Sequence, residues 1–358
     1  MRRVHLLCGS IAAAATVLAA CHSIGPETVA RDRFDYSAAI SDSWKRQTLL
    51  NVVKLRYVDM PIFVDVGQIV SGYSLESTVS LGGQVSSAKA VQGNGVSLGA
   101  QGRFTDRPTI TYTPLTGDRF LRGLMTPIPP ESLLSSIQSG WAADIMLELG
   151  VSVINGIRNE GSSRSGAGYQ NADPRFARVA ALMRKIQLSS SVSISVQKGK
   201  DGEPSTVIAF RSPQIDRETL NNIHELRDLL GLDQEAEEFT LVRGDVARNN
   251  HEIALRSRSL LHAITALSTR VVVPQRDLTD GRAFNAGEID TSDREFKILN
   301  SGSEPGDAFV SVHYRDHWFY IDDRDLVSKR ALLFIMLLFT LADTGTEHPA
   351  PLLTIPTQ

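Results

Sequence analysis

Val192 to Leu230 reads VSISVQKGKDGEPSTVIAFRSPQIDRETLNNIHELRDLL, and its apolar spacing changes from that of strands to that of a helix. Val192 to Gln197 and Thr206 to Phe210 read as two strands around a polar turn, and Asp216 caps a helix over Arg217 to Leu230. Phe309 to Leu341 repeats this layout: strands at Phe309 to Tyr314 and Trp318 to Ile321, Asp322 or Asp323 at a helix start, then an apolar helix from Leu326 to Leu341. The expectation is an α+β fold of antiparallel hairpins with packed helices, with a ββα repeat in the second of two lobes.

Working outward, Pro174 to Ile186 and Glu252 to Leu267 read as helices, Phe239 to Val242 as a strand, and Asp277 to Gly306 as a polar loop. Gly161 to Gln170 (GSSRSGAGYQ) is rich in small residues and marks a boundary between a β-rich lobe, 36–160, and an α+β lobe, 171–358. In the first lobe, Ser41 or Ser43 caps a helix that runs to Tyr57 and ends before Pro61. Helices are expected again from Pro130 to Gly140 and from Trp141 to Leu149, then a strand from Val151 to Ile157. Ala331 to Leu341 (ALLFIMLLFTL) is apolar all round, so it is expected to be covered on every side.

From Ile62 the period becomes two. Leu75, Val79, Leu81 and Val85 alternate with Glu76, Thr78, Ser80 and Gln84. After a Ser/Ala/Gly connector, Val96, Leu98, Ala100 and Phe104 alternate with Ser97, Gly99, Gln101 and Arg103, and Thr109 to Thr113 forms a further strand. This predicts a long hairpin or meander. Both arms of 74–104 have the length and two-sided character of a transmembrane β-strand, ~9 to 11 residues. One hairpin cannot close a barrel, so insertion requires several protomers that each donate strands. A soluble sheet with one face on helices gives the same alternation.

The N-terminus carries an address. Arg2 and Arg3 precede an apolar stretch from Val4 to Leu18, which is too short to span a bilayer as a helix, and Leu18-Ala19-Ala20-Cys21 closes it. This resembles the signal peptide and lipobox of bacterial lipoproteins. The resemblance covers residues 1–21 and implies that 1–20 are removed, that the Cys21 thiol carries a diacylglycerol, and that 21–35 form a lipidated linker. It further implies stable membrane attachment through two or three acyl chains. His22 stands where inner-membrane lipoproteins tend to have aspartate, which by the same resemblance points to the periplasmic side of the outer membrane.

Without residues 1–20 the chain keeps 35 basic and 40 acidic side chains, interspersed, which gives no basis for nucleic-acid binding. Cys8 and Cys21 are the only cysteines, so a mature domain would have no disulfide, cysteine zinc site or cysteine nucleophile. Gly95-Val96-Ser97-Leu98-Gly99 matches G-x-S-x-G, but a nucleophile elbow needs a helix after the serine, and the strand alternation continues instead. Ser86/Lys89 and Ser195/Lys198 match Ser-x-x-Lys without companion motifs. His313 and His317 flank a turn and, with Asp322 or Asp323, resemble a metal set, although the acids are equally explained as helix-start residues.

No catalytic residue, cofactor or metal is assigned. The expectation is an outer-membrane-anchored periplasmic lipoprotein with a non-enzymatic structural or assembly role, whose partners are the membrane, envelope proteins or further copies of itself. The alternatives are an oligomeric secretion or pore component that donates the 74–104 hairpin, and a hydrolase with a dispersed site.

Overall fold

The structure, a computed structural model, describes residues 26–70, 73–84, 95–159, 161–162, 169–170, 172–198, 204–210, 216–286 and 296–342. The elements are α1 (Pro26–Arg56), β1 (Phe63–Val70), β2 (Tyr73–Gln84), β3 (Gly95–Asp106), β4 (Thr109–Leu115), α2 (Asp118–Met125), α3 (Pro130–Gln138), α4 (Ala143–Gly150), β5 (Val151–Ile154) and β6 (Ile157–Arg158). They continue with β7 (Gly161–Ser162), β8 (Tyr169–Gln170), α5 (Pro174–Leu188), β9 (Val192–Lys198), β10 (Pro204–Phe210), α6 (Arg217–Leu230), β11 (Glu238–Arg243) and β12 (Glu252–Ser257). The last are α7 (Leu260–Ser268), α8 (Gln275–Thr279), β13 (Leu299–Ser301), β14 (Ala308–Tyr314), β15 (His317–Asp322) and α9 (Leu326–Ala342). The fold is α+β.

Two compact units emerge, Met1–Asp42 with Val64–Pro114 and Ser43–Phe63 with Leu115–Gln358. This division does not follow the Gly161–Gln170 stretch, because β5 and β6 before it pair in one sheet with β12 after it. That sheet has six strands in the order β6-β5-β12-β11-β10-β9, with β11 and β12 parallel and the other pairs antiparallel. Leu133, Leu147, Val179, Leu182, Ile223, Leu226, Leu267 and Phe334, from α3, α4, α5, α6, α7 and α9, join Phe239 and Leu255 of the sheet in one core.

The central strand corrects one expectation. Glu252 to Leu267 is not one helix but β12 followed by α7, which starts where Ser259 Oγ accepts the His262 amide at 3.2 Å. Ile253, Ala254 and Leu255 are all buried, so β12 lacks the alternation by which a strand is recognised. Val151 to Ile157 is likewise two strands, which turn on Asn155 (φ 43°) and Gly156 (φ 79°), a pair suited to left-handed turn positions. Asp277 to Gly306 is not all loop, since Asp277 lies in α8 and Leu299 to Ser301 form β13.

Both ββα segments appear, but they build different sheets. β9 and β10 form one edge of the six-stranded sheet, whereas β14 and β15 join β13 in a separate three-stranded sheet. In α9, Ala331, Leu332, Phe334, Ile335 and Leu338 are buried, but Leu333 is 42% exposed, so the helix is not covered on every side.

At the N-terminal end the stretch read as a linker, 21–35, is helical from Pro26, and α1 continues without interruption for 31 residues, about 46 Å. Its residues from Arg31 to Ser43 are mostly exposed, and without an apolar stripe the helix leaves no periodic signature. Only from Thr48 do buried residues, Leu49, Val52 and Val53, mark a packed face.

Asn155 ties several of these elements together. Its Nδ2 donates to the Leu230 carbonyl at 2.8 Å and the Glu252 carbonyl at 3.3 Å, and its Oδ1 accepts the Ala254 amide at 2.6 Å. Asn155→Ala strips partners from groups in α6 and the central strand while keeping a left-handed turn position. Urea unfolding should show a loss of about 2–4 kcal/mol, and a change within about 0.5 kcal/mol, as at an ordinary surface site, would contradict this role.

Candidate functional site: a two-faced β-ribbon

In the first unit β1 pairs with β4, and β2 with β3, so the chain goes out along β1 and β2 and returns along β3 and β4. The register of β2 and β3 is unbroken from Tyr73↔Asp106 to Gln84↔Gly95. Successive pairs therefore occupy opposite faces. One face carries Leu75↔Phe104, Ser77↔Gly102, Val79↔Ala100, Leu81↔Leu98 and Gly83↔Val96. The other carries Ser74↔Thr105, Glu76↔Arg103, Thr78↔Gln101, Ser80↔Gly99, Gly82↔Ser97 and Gln84↔Gly95.

The apolar residues of both arms thus share one face, while Glu76 and Arg103 stand opposite one another on the polar face. Val85, the remaining member of the expected apolar set, lies outside the described residues. Glu76, Thr78, Ser80, Gln101 and Arg103 are exposed. Gly99 permits close strand approach here, since a Cβ added to it would lie 2.7 Å from Ser80 Oγ.

From Leu75 to Gly83 the apolar face runs ~27 Å along the strand at ~3.4 Å per residue. A tilt of ~40° projects this to about 21 Å, against the ~25 Å apolar band of a membrane barrel. Among the described residues no third strand pairs with either outer edge. A two-stranded ribbon is marginal in water on its own, and open edges are templates for further pairing.

The segment before the ribbon is fixed by the second unit. Asn51, buried on α1, donates from Nδ2 to the Ile62 carbonyl at 2.7 Å and accepts the Ile62 amide on Oδ1 at 3.0 Å. The next residue, Phe63, is buried with ring centroids 5.9 Å from Phe120 and 4.5 Å from Phe339. Tyr57 donates to Asp277 Oδ2 at 2.6 Å, and Tyr314 donates to Asp59 Oδ2 at 2.9 Å. Arg315 lies over the rings of both tyrosines, at 5.0 and 5.6 Å. Burial, then the Asp277 contact, raises the Tyr57 hydroxyl well above its ordinary pKa; the Tyr314 hydrogen bond holds Asp59 below the usual carboxylate range.

Arg56 is the unusual member of this region. It is 1% exposed and stacks 4.6 Å from the Phe284 ring centroid, and its Nε and Nη1 find no hydrogen-bond partner among the described residues. Burial lowers its pKa to about 10.

The residues singled out by sequence are dispersed. Cys21, Ser86 and Lys89 lie outside the described residues. Ser97 is on β3 opposite Gly82, with strand on both sides and no helix start after Gly99, so no nucleophile elbow forms. Ser195 and Lys198 lie along β9. The metal-like grouping is corrected by the hairpin register: Arg315 and Asp316, at φ 48° and 65°, form a two-residue turn with Tyr314 paired to His317 and His313 to Trp318. His313 and His317 consequently face opposite sides. His313 packs on Trp318 at 5.3 Å, His317 Nδ1 is 3.1 Å from the Arg315 carbonyl oxygen, Asp322 accepts the Arg324 amide, and Asp323 pairs with Lys329. Among the described residues no group of three or more His, Cys, Asp or Glu side chains is placed to hold a metal ion.

Comparison of the chain with protein-family models, with curated proteins and with solved structures gives no match. The Asn51 clamp and the Tyr57–Asp277 pair escaped sequence reading because they join positions without a local motif; the second spans 220 positions.

Asn51→Ala removes both bonds to Ile62 and leaves its part-buried amide and carbonyl without their side-chain partner. Urea unfolding of the second unit should lose about 2–4 kcal/mol, whereas Thr78→Ala on the exposed polar face should change it by less than about 0.5 kcal/mol. Equal effects would contradict the clamp.

Proposed function

We propose that the protein is a membrane-tethered component that donates its β-ribbon to an oligomeric transmembrane barrel. The observation that carries this reading is the β2–β3 register, which gathers Leu75, Val79, Leu81, Val96, Leu98 and Phe104 on one face and Glu76, Thr78, Gln101 and Arg103 on the other. A strand in a water-filled barrel needs this pattern, apolar toward lipid and polar toward the lumen. The outer edges, to which no third strand pairs among the described residues, supply the means of joining copies, since only a closed ring satisfies strand backbone in lipid. No helix among the described residues is long and apolar enough to cross a membrane.

In this reading the Cys21 lipid holds the chain at the outer membrane from the periplasmic side, and acyl chains make attachment lasting. Concentration of protomers on one surface favours ring closure. The rival reading, a structural lipoprotein whose ribbon packs against an envelope protein, leaves the polar and apolar faces without any relation to lipid.

Single cysteines distinguish the two in a Cys8-free background, with Cys21 kept for acylation. In native membranes, cysteines at Val79, Leu81 and Leu98 should resist a membrane-impermeant maleimide and, carrying a fluorophore, be quenched from the lipid phase, while cysteines at Thr78 and Gln101 should label from water. Labelling of both faces alike, or protection without lipid-phase quenching, would sink the barrel reading.

The anchor is tested separately. Cys21→Ala should abolish incorporation of labelled palmitate. Continued incorporation, or maturation at a different residue, would remove Cys21 from this account.

A further inference from the structure

The second unit contains a cleft whose lining shares no residue with the Asn51 clamp. Its volume is about 310 Å³, and its lining includes Trp141, Ala142, Ile145, Met146, Arg184 and Arg330. This is at the small end of ligand pockets, which range from ~300 to 1,000 Å³.

Three elements converge on it. Arg184 comes from α5 and Arg330 from α9, and the first turn of α4 supplies Ile145 and Met146, both buried. Among the described residues no acidic side chain lines the cleft, and neither arginine takes part in an ion pair. Asp144, in the first turn of α4, accepts the Ile145 amide on Oδ1 at 3.0 Å.

One arginine is held in place. Arg184 Nη1 donates to Gln187 Oε1 at 2.6 Å, and the same Gln187 accepts the Ala143 amide and donates from Nε2 to the Ile137 and Trp141 carbonyls at 2.6 Å each. Gln187 thereby fixes both the guanidinium and the Ser139–Ala142 turn. Trp141 is backed by Phe334 at a centroid distance of 6.2 Å.

Two guanidinium groups without an ion-pair partner among the described residues, beside an indole and a buried methionine, define a complementary ligand. We propose that this cleft binds an amphipathic oxyanion, with a phosphate between Arg184 and Arg330 and an apolar group on Trp141 and Met146. Planar guanidinium forks match phosphate oxygens in paired hydrogen bonds, and the apolar wall selects against a bare inorganic ion. The same chemistry comes from a soluble organic phosphate or from a lipid phosphate monoester, and the assignment stands independently of the barrel.

Calorimetric titration of the full chain tests it with phenyl phosphate, dihexanoyl phosphatidic acid below its micelle concentration, inorganic phosphate and benzyl alcohol. At least one organic phosphate should bind saturably and about tenfold or more tighter than inorganic phosphate, and benzyl alcohol should not bind. Arg184→Gln and Arg330→Gln should each weaken binding by about tenfold or more, and Arg330→Lys by less. Arg330 is exposed, so its replacement leaves the core intact, as a melting curve will verify. Tighter binding of the lipid assigns the ligand to the membrane, and tighter binding of phenyl phosphate to a soluble source; either supports the site. No saturable binding of the organic phosphates, equal affinity for inorganic phosphate, or affinity unchanged in the double arginine variant would overturn it.

Discussion

A two-stranded ribbon satisfies only the inner half of its backbone. Along β2 and β3 the N–H and C=O groups of the shared edge are paired in unbroken register, while those on the two outer edges must find other partners. Water meets this need in solution. In hydrocarbon each unmet group costs several kcal/mol, and the only remedy for a strand is another strand on each side until the sheet closes. The proposed membrane insertion and the proposed oligomerisation are therefore one requirement, set by backbone hydrogen bonding before any side chain is considered.

The side chains then decide which solvent each face suits. Leu75, Val79, Leu81, Leu98 and Phe104 stand on the face opposite Glu76 and Arg103, and slippage by one residue would mix the two sets. The second unit answers a different demand: it fixes residues 57–63, which lead into β1. Asn51 holds Ile62 in a two-way hydrogen bond, Phe63 packs between Phe120 and Phe339, and Tyr57 and Asp59 are tied to Asp277 and Tyr314. These contacts come from four helices, α1, α2, α8 and α9, and from Tyr314 of the β14–β15 hairpin, far apart in the chain. They make the departure point of the ribbon a property of the folded unit rather than of the local sequence.

What was legible in the sequence follows from the same physics. Val192 to Leu230 and Phe309 to Leu341 each bury one face against a core, so their periods of two and then of a helix are visible, and their elements form where that pattern places them. β12 is covered on both faces, so its run of buried residues looks like part of a helix. α1 has the opposite problem: its first half buries too little for any stripe to emerge. The ribbon alternation was legible, but the pairing of every apolar residue with the same face required the register. The His313–His317 grouping, to which no metal was assigned, does not converge because a two-residue turn puts neighbouring pairs on opposite faces, which spacing alone does not reveal.

The most direct test of the barrel is electrical. Purified lipidated protein added to a planar bilayer should give discrete ohmic steps, because a closed ring with a polar lumen conducts ions. Glu76→Lys, on the polar face, should shift the reversal potential under a salt gradient toward anion preference, whereas Leu81→Ile on the apolar face should leave it unchanged. Absence of conductance from protein that is lipidated, folded and membrane-bound would contradict the account, as would steps whose selectivity ignores residue 76.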